Sequence, residues 1–577
     1  MKLNRLGRIS PHVILGIAAL LILILRITPA QSPTPLIIPP TTTIKVATRL
    51  VTVDVVALDN KGRQVQGLTK DDFELREDDK LQPISVFSVE GSLIPHAPLV
   101  AAPQAPIPPP TPLATLPLNT FTNRPALPSA APTSATVILM DGLNTRPQDL
   151  AWARGQVAKF LAQLQAPDVV ALYALGGTLR VAQDFTSDSA LLFKAFDKLN
   201  PHQGAENLEP ADPQSGPATM NLARTSVEVG PGPDLSQNTK AFRRQDMTFN
   251  ALSAIGQHLA HVRGRKTLIW ISYGIPLIIV TIPPPHSLAP PDIYEYTPQV
   301  RSVSRLLSNY NVAVYPIDAR GTFAGVSGTA YDAESNNADG MAISTHGAMK
   351  GALNRDDASR LFAQLTGGRM VSSGDVGAAI RTAMDDSKLT YVLGYYPSPD
   401  ESDSKFHTFK VRVNRSGVKL LYRGGYLAVN EQNQTPEDQD KLVAAALQSP
   451  LDCTEIGLRA QLQKAGAANA PPLTLNLTVD VGDLPLSHNQ DRWQGELEVV
   501  IEQHVAGGDV ISESARKHSV KLNLEDSYYT QLKSQGLLLY FPFTPVPQAG
   551  ELKVVVREIN SGAMGSVHIP MDKTLGG

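Results

Sequence analysis

Between Ala135 and Lys388 short apolar runs alternate with longer stretches of helical period, and few folds are open to a chain written in that way. The runs Ala135–Met140, Val169–Ala174, Lys266–Ile271 and Val312–Ile317 carry too few polar side chains to leave one face in water. They read as strands covered on both sides, which is the condition of a parallel sheet wrapped by crossover helices. Amphipathic spacing predicts helices over 147–164, 189–199, 248–262, 298–309, 358–365 and 376–388. Leu179–Ala182 adds an antiparallel or edge strand and Arg369–Val371 a last short one. The expectation is a doubly wound, Rossmann-like α/β domain of six strands with helices on both faces.

The flanking sequence changes period. Thr43 to Glu90 alternates apolar and polar residues, with Val51, Val53 and Val55 on one face and turn chemistry at Asp59–Gly62 and Glu77–Lys80. Fewer than about 60 residues make a marginal sandwich on their own. Strand alternation returns at 389–397, 406–413 and 418–426, so these strands are expected to complete one Ig-like β-sandwich with the N-terminal ones, the α/β domain being inserted between them. Pro95 to Pro132 is rich in Pro, Ala, Leu and Thr and reads as a linker. The expected organisation is a signal peptide over 1–30, an N-terminal β segment over 31–93, a Pro-rich linker over 94–133, the α/β domain over 134–388, completing strands over 389–428, a partly helical connector over 429–471 and an all-β domain over 472–577.

Lys2, Arg5 and Arg8 precede an apolar stretch from Val13 to Leu25, and Thr28-Pro29-Ala30 places small residues where a signal peptidase cuts. Cleavage after Ala30 is expected, with an uncleaved N-terminal anchor as the alternative; no later run has the length and apolarity of a second span. The chain is therefore expected outside the cytoplasm of a bacterium, periplasmic, outer-membrane-associated or extracellular. With 51 basic and 54 acidic residues the formal charge of -3 leaves no footprint for nucleic acid. The lone Cys453 reads as a small buried apolar side chain.

Ligands of open α/β sheets bind at the carboxyl ends of the strands where strand order reverses, beside the first strand, which points at Asp141. Asp141-Gly142-Leu143-Asn144-Thr145 follows that strand, and here the chain resembles the von Willebrand factor A-type (VWA) family over about 134–388. The family's metal-ion-dependent adhesion site uses Asp-x-Ser-x-Ser, a later threonine and a second acid. The resemblance implies Asp141, Thr145 and Thr248 as ligands of a hard cation such as Mg²⁺. It also marks departures: Leu143 stands where the middle hydroxyl belongs, and Tyr273, within Ser272-Tyr273-Gly274, replaces the second acid. A metal-free alternative is that Asp141 caps the first helix or bonds loop amides. Further phrases, among them Leu68–Phe73, Gly264–Lys266, Trp270–Ser272, Tyr315–Arg320, Leu393–Pro397 and Tyr422–Tyr426, resemble a bacterial secreted subgroup labelled acidobacterial VWFA-related proteins, which implies fold and export route but no chemistry.

Neither a Gly-x-Ser-x-Gly elbow, nor a His-Glu-x-x-His helix, nor a phosphate-binding loop occurs, so catalytic and organic-cofactor residues are expected to be absent. Gly325–Gly328 is a loop fragment, and Asp318 and Arg320 read as a pair or a cap. Three long loops, 200–247, 273–299 and 318–356, fall on the expected binding edge. The sequence thus points to a module that binds a protein or surface polymer near Asp141 through a degenerate metal site. A structural envelope component and an enzyme of unknown class are the other two readings.

Overall fold

The computed structural model describes residues 50–91, 119–124, 134–164, 168–205, 235–281, 292–320, 356–371, 374–397, 405–427, 436–464 and 472–571, apart from 507, 509, 512 and 513. The expected signal peptide and most of the 94–133 and 318–356 segments lie outside the described residues.

In chain order the first strands are β1 (Val51–Leu58), β2 (Phe73–Glu77), β3 (Lys80–Gln82), β4 (Val86–Gly91) and β5 (Thr120–Thr122). The α/β part follows as β6 (Ser134–Asp141), α1 (Pro147–Leu161), β7 (Val170–Leu175), β8 (Leu179–Thr186), α2 (Ser189–Lys198), α3 (Leu235–His258), β9 (Arg265–Ser272), β10 (Ile278–Thr281), β11 (Asp292–Glu295), α4 (Thr297–Asn309), β12 (Val312–Asp318), α5 (Asp356–Thr366) and α6 (Val376–Asp386). The rest is β13 (Leu389–Tyr395), β14 (Phe406–Val413), β15 (Lys419–Leu421), β16 (Gly425–Leu427), α7 (Pro436–Gln448), β17 (Leu458–Lys464), β18 (Leu473–Val479), β19 (Ser487–Asn489), β20 (Arg492–His504), β21 (Arg516–Glu525), α8 (Asp526–Gln535), β22 (Leu537–Phe543), β23 (Glu551–Glu558) and β24 (Met564–Pro570).

The central sheet has the order β12-β9-β6-β7-β8, parallel except for the antiparallel edge strand β8. Alternate residues of β6 feed two cores. Val137 and Leu139 pack with Leu252, Ile255, Val300, Leu307 and Phe362 of α3, α4 and α5. Ile138 and Met140 pack with Val157, Phe160, Phe196, Ile380 and Ala383 of α1, α2 and α6. Two covered faces explain why these strands are apolar throughout. The helices start where local chemistry lets them: Pro147 opens α1, and the Asp188 carboxylate accepts from the Ala190 and Leu191 amides at 2.8 and 3.2 Å ahead of α2. The expected sixth strand is reduced to a single parallel bridge between Ile317 and Val371.

Around this sheet the chain is built from antiparallel sheets. β1 pairs with β13 and β15, and β2 with β14, giving sheets ordered β15-β1-β13-β4 and β16-β14-β2-β3 over one core of Val53, Val55, Leu75, Tyr391, Leu393 and Phe409. A second sandwich stacks β22-β18-β17-β5 on β19-β20-β23-β24, with β21 beside β20. Two expectations need correcting here. The segment read as pure linker contributes β5, and the connector read to 471 contains β17; both are edge-to-edge neighbours in the same sheet. Thr120–Thr122 is too short to show a period, yet it covers amides of β17 that would otherwise be unpaired.

Both sandwiches seat on the amino-terminal side of the central sheet. Asn311 Nδ2, just before β12, donates to Asp54 Oδ2 at 2.6 Å, Arg423 Nη1 donates to Ser308 O at 2.8 Å, and Lys266 at the start of β9 is buried near Asp54. From the other sandwich Thr454 Oγ1 donates to His258 O at 2.9 Å, and the Asp452 carbonyl lies 2.9 Å from His258 Nδ1, at the carboxyl end of α3.

Candidate functional site

At the opposite edge, where β6, β9 and β12 end, Asp141 is fully buried. Its Oδ2 accepts from Trp270 Nε1 at 2.9 Å, Ser272 Oγ at 2.8 Å and Asn144 Nδ2 at 2.9 Å. Its Oδ1 accepts from the amides of Leu143 and Asn144 at 3.1 and 3.0 Å. Burial pushes this carboxyl up from its usual range, while the bonds from Asn144, Ser272 and Trp270 pull it back. The loop can hold this shape because residue 142 is glycine: a Cβ there would lie 2.4 Å from Pro201 O.

The three residues that the VWA resemblance implies do gather here, but each oxygen is already engaged. Thr248 Oγ1 donates to Arg244 O at 2.7 Å and accepts from Asn144 Nδ2 at 2.8 Å. Thr145 Oγ1 accepts the Tyr273 amide at 3.0 Å. Leu143, at the position of the missing hydroxyl, is buried in the core shared with α3 and α5.

The donor set does not fit Mg²⁺. A hard cation asks for about six oxygen ligands and charge compensation, whereas Asp141 is the one carboxylate among the three implied ligands and faces N–H and O–H donors. Tyr273, in place of the second acid, lies under two guanidinium groups, Arg320 at 4.4 Å and Arg146 at 5.6 Å from the ring centroid. Arg320 is also held by a two-pronged bond to Asp318, Nε to Oδ1 at 2.9 Å and Nη2 to Oδ2 at 2.6 Å, the structural pairing expected of those two residues. Among the described residues no group of three or more His, Cys, Asp or Glu side chains is gathered as metal ligands.

Residue-by-residue reading of the motif missed Asn144, Trp270 and Ser272 as partners of Asp141. The signal was present: a tryptophan near the carboxyl end of a buried strand needs an acceptor for its indole N–H, and Asp141 on the neighbouring strand is that acceptor.

Two of the three loop segments of this edge contain regular structure where they are described. Residues 235–247 of the 200–247 segment belong to α3, which begins at Leu235 rather than Thr248. Segment 273–299 contains the hairpin of β10 and β11, tied to α3 by Gln245 Nε2 donating to Pro276 O at 2.7 Å and by the edge-to-face pair Phe242–Tyr294. Ile293 and Tyr294 are 69% and 44% exposed. Beside Trp270 and Ser272 a small cleft is lined by Tyr273, Pro316, Asp318 and Ser359.

No family model matches the chain, and no curated protein matches it. Among solved structures, an aerotolerance-related membrane protein from Bacteroides fragilis is 11% identical over 44% of this chain and 98% of its own, at a TM-score of 0.23. BatB from Bacteroides thetaiotaomicron is 10% identical over 44% and 97%, at 0.22. The three N-terminal domains of the type V pili tip protein Mfa5 from Porphyromonas gingivalis are 11% identical over 85% and 97%, at 0.24. No described helix is long and apolar enough to cross a membrane.

Proposed function

We propose that this chain is an exported VWA-type protein of a bacterial envelope that binds another protein or a surface polymer through the carboxyl edge of its central sheet, without a metal ion and without catalysis. The observation that carries this reading is the placement of the two sandwiches. Both occupy the amino-terminal side, through Asp54 and Arg423 in one case and Asp452 and Thr454 in the other, so among the described residues the opposite edge carries neither. That edge presents two exposed apolar side chains of β11, Ile293 and Tyr294, and a cluster in which the Tyr273 ring lies under the guanidinium groups of Arg146 and Arg320. Aromatic and arginine side chains are the types enriched in binding hot spots. Strand order reversing at β6, with Asp141 at its end, supports the VWA reading.

The test is photo-crosslinking of the full chain, with the photoreactive residue at Ile293 or, as control, at the exposed Lys419 of β15, against envelope fractions. Discrete adducts from position 293 and none from 419 are expected. Equal labelling from both positions, or none from either, refutes the reading and leaves a purely structural envelope role.

A further inference from the structure

The strand contributed by the proline-rich segment is held as a peptide is held in a groove. Thr120, Phe121 and Thr122 run antiparallel to Gln461, Ala460 and Arg459 of β17, and Phe121 packs against the core of the C-terminal sandwich. Asn123 is 3% exposed, and its Nδ2 donates to the carbonyls of Cys453 and Ile456 at 2.7 and 2.8 Å while its Oδ1 accepts the Leu458 amide at 2.8 Å. Arg124 Nη1 donates to Thr454 O at 2.9 Å, and its other nitrogen meets the Asp483 carboxylate. Gly457 makes room for that guanidinium, since a Cβ there would collide with it. An edge-strand ladder supplies affinity, and the asparagine and arginine anchors supply sequence preference, which is the logic of β-strand addition.

We propose that this groove is a strand-acceptor site that takes residues 119–124 from a second copy of the chain, so that two copies assemble by exchanging the segment. Three observations carry it. The contacts above are made by Thr120–Arg124 alone, so the same residues of another copy reproduce every one of them, as in a swapped dimer. The strand has the shortest ladder of its sheet, with three register pairs to β17, against seven between β17 and β18 and seven between β18 and β22, and segments with few backbone pairs open locally at lower cost. The sandwich has a separate attachment to its own α/β part, through Thr454 and the end of α3, so it stays seated when the strand leaves. An empty groove would strand the Leu458 amide and the Ile456 carbonyl, so the segment is replaced rather than lost.

Thr122 and Arg459 are register partners, which allows a mixing experiment on the full chain. One preparation carries T122C, another R459C, and a third both; each single variant alone controls for the buried native Cys453. The double variant is expected to close a disulfide within the chain. The two single variants, mixed under mild oxidation, are expected to give a covalent heterodimer that neither gives alone, suppressed by excess synthetic peptide spanning Asn119–Arg124 and suppressed less by the peptide with alanine at position 123. A double variant that closes within the chain while the mixture stays monomeric at every concentration overturns the exchange. A double variant that fails to close overturns the groove itself.

Discussion

Replacing Asp141 by alanine isolates what the buried carboxylate does. The change removes the acceptor of five donors, but they do not suffer equally. Leu143 N keeps Leu175 O at 3.0 Å and Asn144 Nδ2 keeps Thr248 Oγ1. Trp270 Nε1 and the Asn144 amide have only the carboxylate, and the Ser272 hydroxyl, though it still accepts from Gly274 N, donates only to the carboxylate, so three buried donors are orphaned. At about 1–3 kcal/mol each, the expected loss is about 3–9 kcal/mol of unfolding free energy. Asp141→Asn keeps one acceptor oxygen and turns an NH₂ towards donors, so its loss falls below that of alanine. Urea denaturation followed by tryptophan fluorescence reads both, because Trp270 is fully buried. A cycle with Trp270→Phe sharpens the measurement: removing the indole donor first should shrink the cost of Asp141→Ala by about 1–3 kcal/mol, the coupling of a directly bonded pair. An alanine variant within about 1 kcal/mol of the parent, or additive effects in the cycle, would refute the assignment of Asp141 as a structural hydrogen-bond hub.

Other outcomes follow from the same geometry. Adding Mg²⁺ or Mn²⁺ to about 10 mM should leave Tm unchanged, whereas a working site with a Kd a hundredfold lower would add about 2.7 kcal/mol of stability. Lys266 is pushed down to about 8 by burial, the dominant cause, so its neutral form is favoured on folding; its contribution is fully present above the ordinary lysine value of 10.5 and is lost as pH falls through 8. Between those limits the parent should gain about 3 kcal/mol relative to Lys266→Met in pH-dependent urea unfolding, and a gap that does not change with pH contradicts this. Asn123→Ala orphans the Leu458 amide and the Ile456 carbonyl beneath β5 and should cost the C-terminal sandwich about 2–6 kcal/mol, followed through Trp493; a loss of a few tenths would mean the strand is not seated there.

The central sheet is legible in the sequence because its strands are buried on both faces: 135–140 reads as a strand and forms over 134–141, and 266–271 forms over 265–272. Helices with a clear apolar stripe behave in the same way, as 298–309 does in forming over 297–309. What escapes the reading is decided far away in the chain. β5 has no period of its own, and its partners lie in 453–464. The first turns of α3, rich in Gln, Asn, Lys and Arg, lack an apolar stripe, yet Phe242 and Gln245 there hold the β10–β11 hairpin. The site divides likewise. Position places Asp141 where strand order reverses, at the end of β6, but the motif reading assigns its oxygens to a cation because it compares residues with residues. The competing donors, Trp270 and Ser272, come from a strand that is adjacent in the sheet and more than a hundred residues on.

That substitution of partners has a physical logic. A cation at the end of a parallel sheet gathers loops by drawing several oxygens to one charge, and the gathering lasts only while the ion is bound. Here the same loops are gathered by N–H and O–H groups around one carboxylate: the β6 loop through Asn144, α3 through Thr248, and the end of β9 through Trp270 and Ser272. The arrangement is complete without an ion, and it leaves no oxygen of Asp141 facing outward to meet a ligand carboxylate. On the proposed reading, recognition at this edge rests instead on the exposed Ile293 and Tyr294 of β11 and on the Arg146–Tyr273–Arg320 cluster, which present apolar and guanidinium chemistry where a metal site would present a vacant coordination position.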